Sequence, residues 1–126
     1  MSHESPLILA ADDEFFVLDI IVNALQDGGY QVVAARSAED GMRLLRDRVE
    51  EFGGVVTDVN FGRGRPSGWE LAHLARELKP DIAVIYLTGD SAHEWSAHGV
   101  PGSVLLDKPF AMAEVVVALA QARINS

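Results

Sequence analysis

Asp12-Asp13, Asp58, Thr88-Gly89 and Lys108 are the residues in this sequence whose types and placement suit chemistry. Each sits at the end of a short apolar run: Asp12-Asp13-Glu14 after Leu7–Ala11, Asp58 after Val55-Val56-Thr57, and Thr88-Gly89 after Ala83–Leu87. Lys108-Pro109-Phe110 follows Val104-Leu105-Leu106. If those runs are neighbouring parallel strands, their carboxyl ends meet at one edge. Three acids, a hydroxyl and an ammonium then converge from distant parts of the chain. Crowded carboxylates repel and raise one another's pKa, and a hard divalent cation relieves that repulsion. Mg²⁺ prefers oxygen ligands and takes one or two carboxylates, keeping waters and substrate phosphate as the rest. Such an ion beside Asp58 neutralises an incoming phosphoryl group, and phosphoryl transfer needs positioning and charge neutralisation above all. Lys108 can neutralise one phosphoryl oxygen, Thr88 can hydrogen-bond another, and Gly89 leaves room for the group. Asp58 is then the nucleophile and the product an acyl phosphate.

The elements that must position these residues can be read from periodicity. Apolar runs at Leu7–Ala11, Val32–Ala35, Val55–Thr57, Ala83–Leu87 and Val104–Leu106 suit strands buried on both faces of a parallel sheet. Between Glu14 and Asp27, Leu18, Ile21, Val22 and Leu25 recur at helical spacing, and Gly28-Gly29 ends that helix. Ser37 can cap a second helix with Asp40 three residues on, and Gly41 lies in its interior. Ser67 and Glu70 have capping-box spacing before a third helix that stops ahead of Pro80. A weaker fourth helix is expected from about Ser91 to His98, closed by Gly99 and Pro101, and a fifth from about Met112 to Ile124. The result is α/β: a five-stranded parallel sheet, doubly wound as (βα)5, with its ligand site at the carboxyl ends of the strands. No internal repeat, linker or low-complexity tract interrupts it, so residues 1–126 are expected to form one domain with a core from about 7 to 124.

Composition narrows the function. The chain has 126 residues, 48% of them apolar, which allows a sizeable core. It has no cysteine, which excludes disulfides, thiolate zinc and a cysteine nucleophile. No basic signal start and no bilayer-length apolar run are present, so the expectation is a cytoplasmic protein without membrane contact. A net charge of −9, with basic residues scattered apart from Arg63 and Arg65, argues against nucleic-acid binding.

In this order and at these strand ends, Asp12-Asp13, Asp58, Thr88-Gly89 and Lys108-Pro109-Phe110 resemble the receiver domain of two-component response regulators, over essentially Leu7 to Ile124. The resemblance implies a flavodoxin-like three-layer sandwich and a stand-alone phosphoacceptor rather than a turnover enzyme. The donor would be a histidine kinase or histidine phosphotransfer protein, and Asp58 would accept its phosphoryl group. It further implies direct Mg²⁺ binding by Asp13, Asp58 and the backbone carbonyl of Asn60, with Asp12 acting through water. Thr88, Gly89 and Lys108 would hold the phosphoryl group, and Lys108-Pro109 would be a cis peptide. Output would pass to an unidentified partner protein, and the reading is compatible with a homodimer. Two features depart from the family: Leu105 stands where many members carry a switch aromatic, and the Phe61–Gly68 stretch is long and rich in Gly and Arg.

Alternative readings are weighed beside these. Asp12, Asp13 and Glu14 could simply favour a helix N-terminus. Lys108 alone could be solvated, and Thr88 alone a turn residue. The Gly-Arg loop lacks a phosphate-binding signature and is expected to be a mobile surface loop. His73, His93 and His98 show no ligand pattern, and Trp69 and Trp95 are expected to pack. Phe15, Phe16, Val17 and Ile20 add apolar surface to the first helix, either as a wide core face or as a docking face in which Phe16 and Ile20 meet the donor. Two rival functions are an aspartate-nucleophile phosphatase and a receiver-like adaptor that is never phosphorylated. The adjacent Asp12-Asp13 pair disfavours the first, and the intact set of acids and lysine disfavours the second.

Overall fold

A computed structural model describes residues 6–108 and 111–124. Pro109 and Phe110 lie outside the described residues, and with them the expected cis peptide. Five strands, β1 (Leu7–Ala11), β2 (Gln31–Ala35), β3 (Phe52–Asp58), β4 (Ala83–Thr88) and β5 (Val104–Asp107), form one parallel sheet in the order β2-β1-β3-β4-β5. The helices are α1 (Phe15–Asp27), α2 (Ala38–Arg48), α3 (Gly68–Leu78), α4 (Trp95–His98) and α5 (Met112–Ile124). This is the doubly wound α/β architecture that the alternating apolar runs imply.

Alternate residues of each strand feed opposite faces. Leu9, Val55, Val84 and Tyr86 join Leu45, Leu71 and Ala75 on the α2–α3 side. Ile8, Val56, Ile85 and Leu87 join Leu18, Ile21, Leu25 and Leu119 on the α1–α5 side. Burying both faces explains why the central strands are apolar throughout.

Local sequence accounts for the helix boundaries. Ser37 Oγ accepts the Asp40 N–H, and Ser67 with Glu70 completes a reciprocal capping box. Gly29 ends α1 with φ +96°, a conformation in which a side chain would be strained. In α1, Leu18, Ile21 and Leu25 are buried, whereas Val22 is only partly so.

Two expectations change. β3 begins at Phe52, three residues earlier than its apolar run, because Phe52 and Gly54 pair with Leu7 and Ile8 of β1; at Gly54 α5 packs close, and a Cβ there would stand 2.9 Å from Leu119 Cδ1. The fourth helix is not one helix from Ser91. A 3-10 turn over Ala92–Glu94 leads into four α-helical residues, none of them buried, so no apolar stripe drives a longer helix. The Gly-Arg stretch lies at the surface as a loop, as expected, and a turn closes it. The Arg65 N–H donates to the Gly62 carbonyl, Gly62 and Gly64 take positive φ, Phe61 is buried, and Arg65 Nε lies 3.3 Å from Glu39 Oε2.

Candidate functional site

Strand register brings the acids together. Ala11 pairs with Thr57, so the residues that follow, Asp12 and Asp58, stand side by side where β1 and β3 end. Asp12 is fixed through its own N–H, which donates to the Ala35 carbonyl of β2 at 3.1 Å. Its Oδ1 accepts the Glu14 N–H at 2.9 Å, turning the chain into α1. Asp58 Oδ1 accepts the Val59 N–H at 2.8 Å. Carboxylate oxygens of Asp12, Asp13 and Asp58 all lie within 4.8 Å of one another.

The fourth charge comes from β5. The Lys108 N–H donates to the Thr88 carbonyl at 2.7 Å, carrying the β4–β5 ladder one residue past the strand. Its Nζ is then 3.9 Å from Asp58 Oδ1 and 4.0 Å from Asp12 Oδ2, too far to hydrogen-bond either. Lys108 therefore balances the acids only in part. Burial, followed by the Asp12 charge, pushes the Asp58 carboxyl up to about 6. Burial also raises Asp12.

These residues form an open cleft of about 500 Å³ lined by Asp13, Glu14, Asp58, Asn60, Gly62, Gly89, Asp90 and Lys108. Asn60 Oδ1 accepts the Gly62 N–H at 3.2 Å, which closes one wall. Gly89 forms the other wall, where an added Cβ would meet the Lys108 stem at 3.8 Å.

The donor set suits a hard cation. Asp12 Oδ2 is a buried oxygen with no hydrogen-bond partner among the described residues, beside two further carboxylates. All are oxygen ligands, as Mg²⁺ prefers.

Thr88 differs from the expectation of a hydroxyl aimed at the cleft. It is buried, and its Oγ1 accepts the N–H groups of Asp90 (3.3 Å) and Ser91 (2.9 Å). In this state it caps the turn after β4 instead.

Several residues that matter to the site were not singled out from the sequence. Gly68 opens α3 directly under Asp58: its N–H donates to the Val59 carbonyl at 2.7 Å, and a Cβ would fall on the Asp58 carbonyl. Its place after the Ser67 cap was the available signal, but it reads equally well as an ordinary helix start. Tyr86 carries an aromatic ring next to Leu105, its register partner, and is fully buried. Its ring lies 4.6 Å from that of Trp69, and its hydroxyl accepts the Val100 N–H at 3.2 Å. Trp69 thus packs as expected. Trp95 is partly exposed and donates to Ser103 Oγ at 3.0 Å.

Comparison with known proteins adds a family. Residues 8–120 match the profile of the response regulator receiver domain. Response regulator receiver protein CpdR of Brucella abortus is 28% identical over 111 residues, covering 86% of this chain and 89% of that protein. Transcriptional regulatory protein YvrH of Bacillus subtilis is 30% identical over 119 residues, 92% of this chain, which spans only 48% of YvrH. A response regulator receiver protein from Sinorhizobium medicae superimposes with a TM-score of 0.92 at 37% identity, covering 98% of each chain.

Proposed function

Because the chain belongs to the response regulator receiver domain family, we propose that it accepts a phosphoryl group on Asp58 from a phosphohistidine protein, and so acts as a switch or relay in two-component signalling. The observation that carries this reading is the juxtaposition of Asp58 with Asp12, Asp13 and Lys108 at the strand ends. Among the described residues only Oδ1 of Asp58 accepts a hydrogen bond, which leaves Oδ2 as the nucleophile. A P–O bond forms at Oδ2 as the P–N bond of the phosphohistidine breaks, and the imidazole leaves. Lys108 draws toward the added negative charge, and Thr88 turns its hydroxyl from the Asp90 and Ser91 amides to a phosphoryl oxygen. Mg²⁺ bound here would supply charge neutralisation for the phosphoryl oxygens. Asp13, Asp58 and the Asn60 carbonyl would hold it, with Asp12 acting through water.

The same reading makes residues 1–126 a single receiver unit with its core at about 7–124, placed in the cytoplasm, with one turnover per modification. No helix among the described residues is long and apolar enough to cross a membrane. The donor is a histidine kinase or histidine phosphotransfer protein, and output passes through a further protein. Phe16 and Ile20, 81% and 51% exposed on α1, suit the donor-docking role. Ile20→Ala should then slow transfer from a phosphohistidine protein roughly tenfold. Labelling by acetyl phosphate should be unaffected. Equal slowing with both donors would assign Ile20 to the fold instead.

The test of the whole reading is intact mass after incubation with acetyl phosphate and Mg²⁺. Wild type should gain one phosphoryl group, Asp58→Asn none, and chelation should suppress the gain. An unchanged yield in Asp58→Asn would refute it.

A further inference from the structure

The cleft mouth and the exposed face of α1 adjoin, and together they carry a charge pattern that phosphoryl acceptance alone does not use. Glu14 and Asp90 line the cleft with Asp13 and Asp58, so four carboxylates there face one ammonium, that of Lys108. Asp12, buried in the same cluster, makes five acids; a divalent cation and Lys108 together offset three of them, and the net charge left at the mouth falls to Glu14 and Asp90. Both are exposed and have no ion-pair partner among the described residues. The Glu14 side chain caps nothing, and Asp90 Oδ1 accepts only the Ser91 hydroxyl, at 3.1 Å. Directly beside Glu14, α1 presents Phe15 and Phe16 at 59% and 81% exposure, then the exposed Asp19 and Ile20. Among the described residues Lys108 is the one cation that lines the cleft, and neither Arg36 nor Arg63 does. The Arg36 guanidinium stacks 5.6 Å over the Phe15 ring, Arg65 is paired with Glu39, and Arg63 belongs to the loop beyond Gly62.

We infer that Glu14 and Asp90 select the phosphodonor by charge, admitting a protein whose phosphohistidine is ringed by lysine or arginine beside an apolar groove and disfavouring small anionic donors. This rests on Asp58 being the acceptor. A phosphoryl group approaching alone brings only negative charge to a mouth that remains negative with its metal bound. Cations flanking the phosphohistidine convert the same mouth into an attraction, which acts mainly on encounter and register. The apolar α1 surface then supplies contact area that small donors cannot use.

Three donors test this on the full chain with Mg²⁺: acetyl phosphate, and two synthetic phosphohistidine peptides identical except for flanking residues, lysine in one and glutamate in the other. At an ionic strength of roughly 20 mM the lysine peptide should label the protein about tenfold faster than the glutamate peptide. The ratio should shrink toward one at roughly 0.5 M, where screening is nearly complete. Added salt should slow the lysine peptide and speed acetyl phosphate, opposite signs on one site. Glu14→Gln with Asp90→Asn should cut the peptide ratio several-fold and speed acetyl phosphate. Equal rates for the two peptides at low salt, or a ratio unmoved by the double variant, would overturn the inference. Labelling by none of the three donors would overturn the acceptor reading itself, and this inference with it.

Discussion

The two sides of the cleft are built on different terms. On the β1–β3 side, Asp12 and Asp58 follow the buried runs Ile8–Ala11 and Val55–Thr57, and backbone amides fix one oxygen of each. On the β4–β5 side, Thr88 is buried, but the chain after it buries little: among residues 91–103 only Ser91, Val100 and Ser103 are buried. That segment hangs from polar attachments. Among them are Thr88 Oγ1 on the Ser91 amide, the Tyr86 hydroxyl on the Val100 amide, Trp95 on Ser103, the Arg76 guanidinium on the Pro101 carbonyl, and His73 Nε2 at 2.8 Å from the His98 carbonyl. Apolar packing holds the acids in a costly arrangement, and hydrogen bonds hold the region that can respond. The nucleophile and its acids therefore sit on the side held by packing, and Thr88 and Lys108 reach them from the side held by hydrogen bonds, the side where lower local stability is expected.

The largest effect should come from breaking the rigid side. In Gly68→Ala the added methyl falls on the Asp58 carbonyl, so α3 or the β3 end must shift. We expect a loss of about 3 kcal/mol in urea unfolding, at the upper end for overpacking. Asp58 labelling should fall with it. A variant as stable and as readily labelled as wild type would mean that this close approach is dispensable.

The second prediction sharpens the contrast through pH. The folded state raises the Asp58 carboxyl from 3.8 to about 6. The native protein therefore binds a proton more tightly than the unfolded chain, and the ionised form is destabilising. The penalty is absent below about pH 4, grows as pH rises through about 6, and is complete above it. At about pH 8 without metal, Asp58→Asn should be more stable by on the order of 3 kcal/mol, with the gain gone at about pH 4. Asn keeps an acceptor for the Val59 N–H. Mg²⁺ should stabilise wild type and not the variant. Equal stability of the two proteins across this range would show that the acids are not strained.

The smallest effect belongs to the polar side. Tyr86→Phe leaves the ring on Trp69 and removes the acceptor for the buried Val100 N–H. We expect a loss of about 1–2 kcal/mol and faster amide exchange confined to residues 91–103. Asp58 labelling should be unaffected. Exchange spreading into β1 or β3 would contradict the division.

The same division explains what the sequence made legible. The rigid side announces itself because strands buried on both faces are continuous apolar runs, and the residues ending those runs carry the charge. Asp12 and Asp58 were therefore readable in position as well as type, and Lys108 was readable across the cleft because it too follows an apolar run, that of β5. The rest of the polar side was not, because it depends on contacts between residues distant in sequence. Nothing local says that the Tyr86 hydroxyl reaches Val100, or that the stretch after Ser91 fails to form a longer helix. The Gly62–Arg65 turn and its Glu39 contact were hidden for the same reason: glycine and arginine read as an open loop until a partner on α2 appears. Gly54 and Gly68 were missed because a glycine needed for close approach looks in sequence like any other glycine.

The central claim, that Asp58 carries the phosphoryl group, is tested most directly by reductive trapping. Borohydride converts an aspartyl phosphate to homoserine with loss of phosphate and leaves free carboxylates unchanged. Protein treated with acetyl phosphate and Mg²⁺, reduced, digested and sequenced by mass spectrometry should show homoserine at position 58 and aspartate at 12, 13 and 90. Homoserine at any of those three positions, with aspartate retained at 58, would contradict the account.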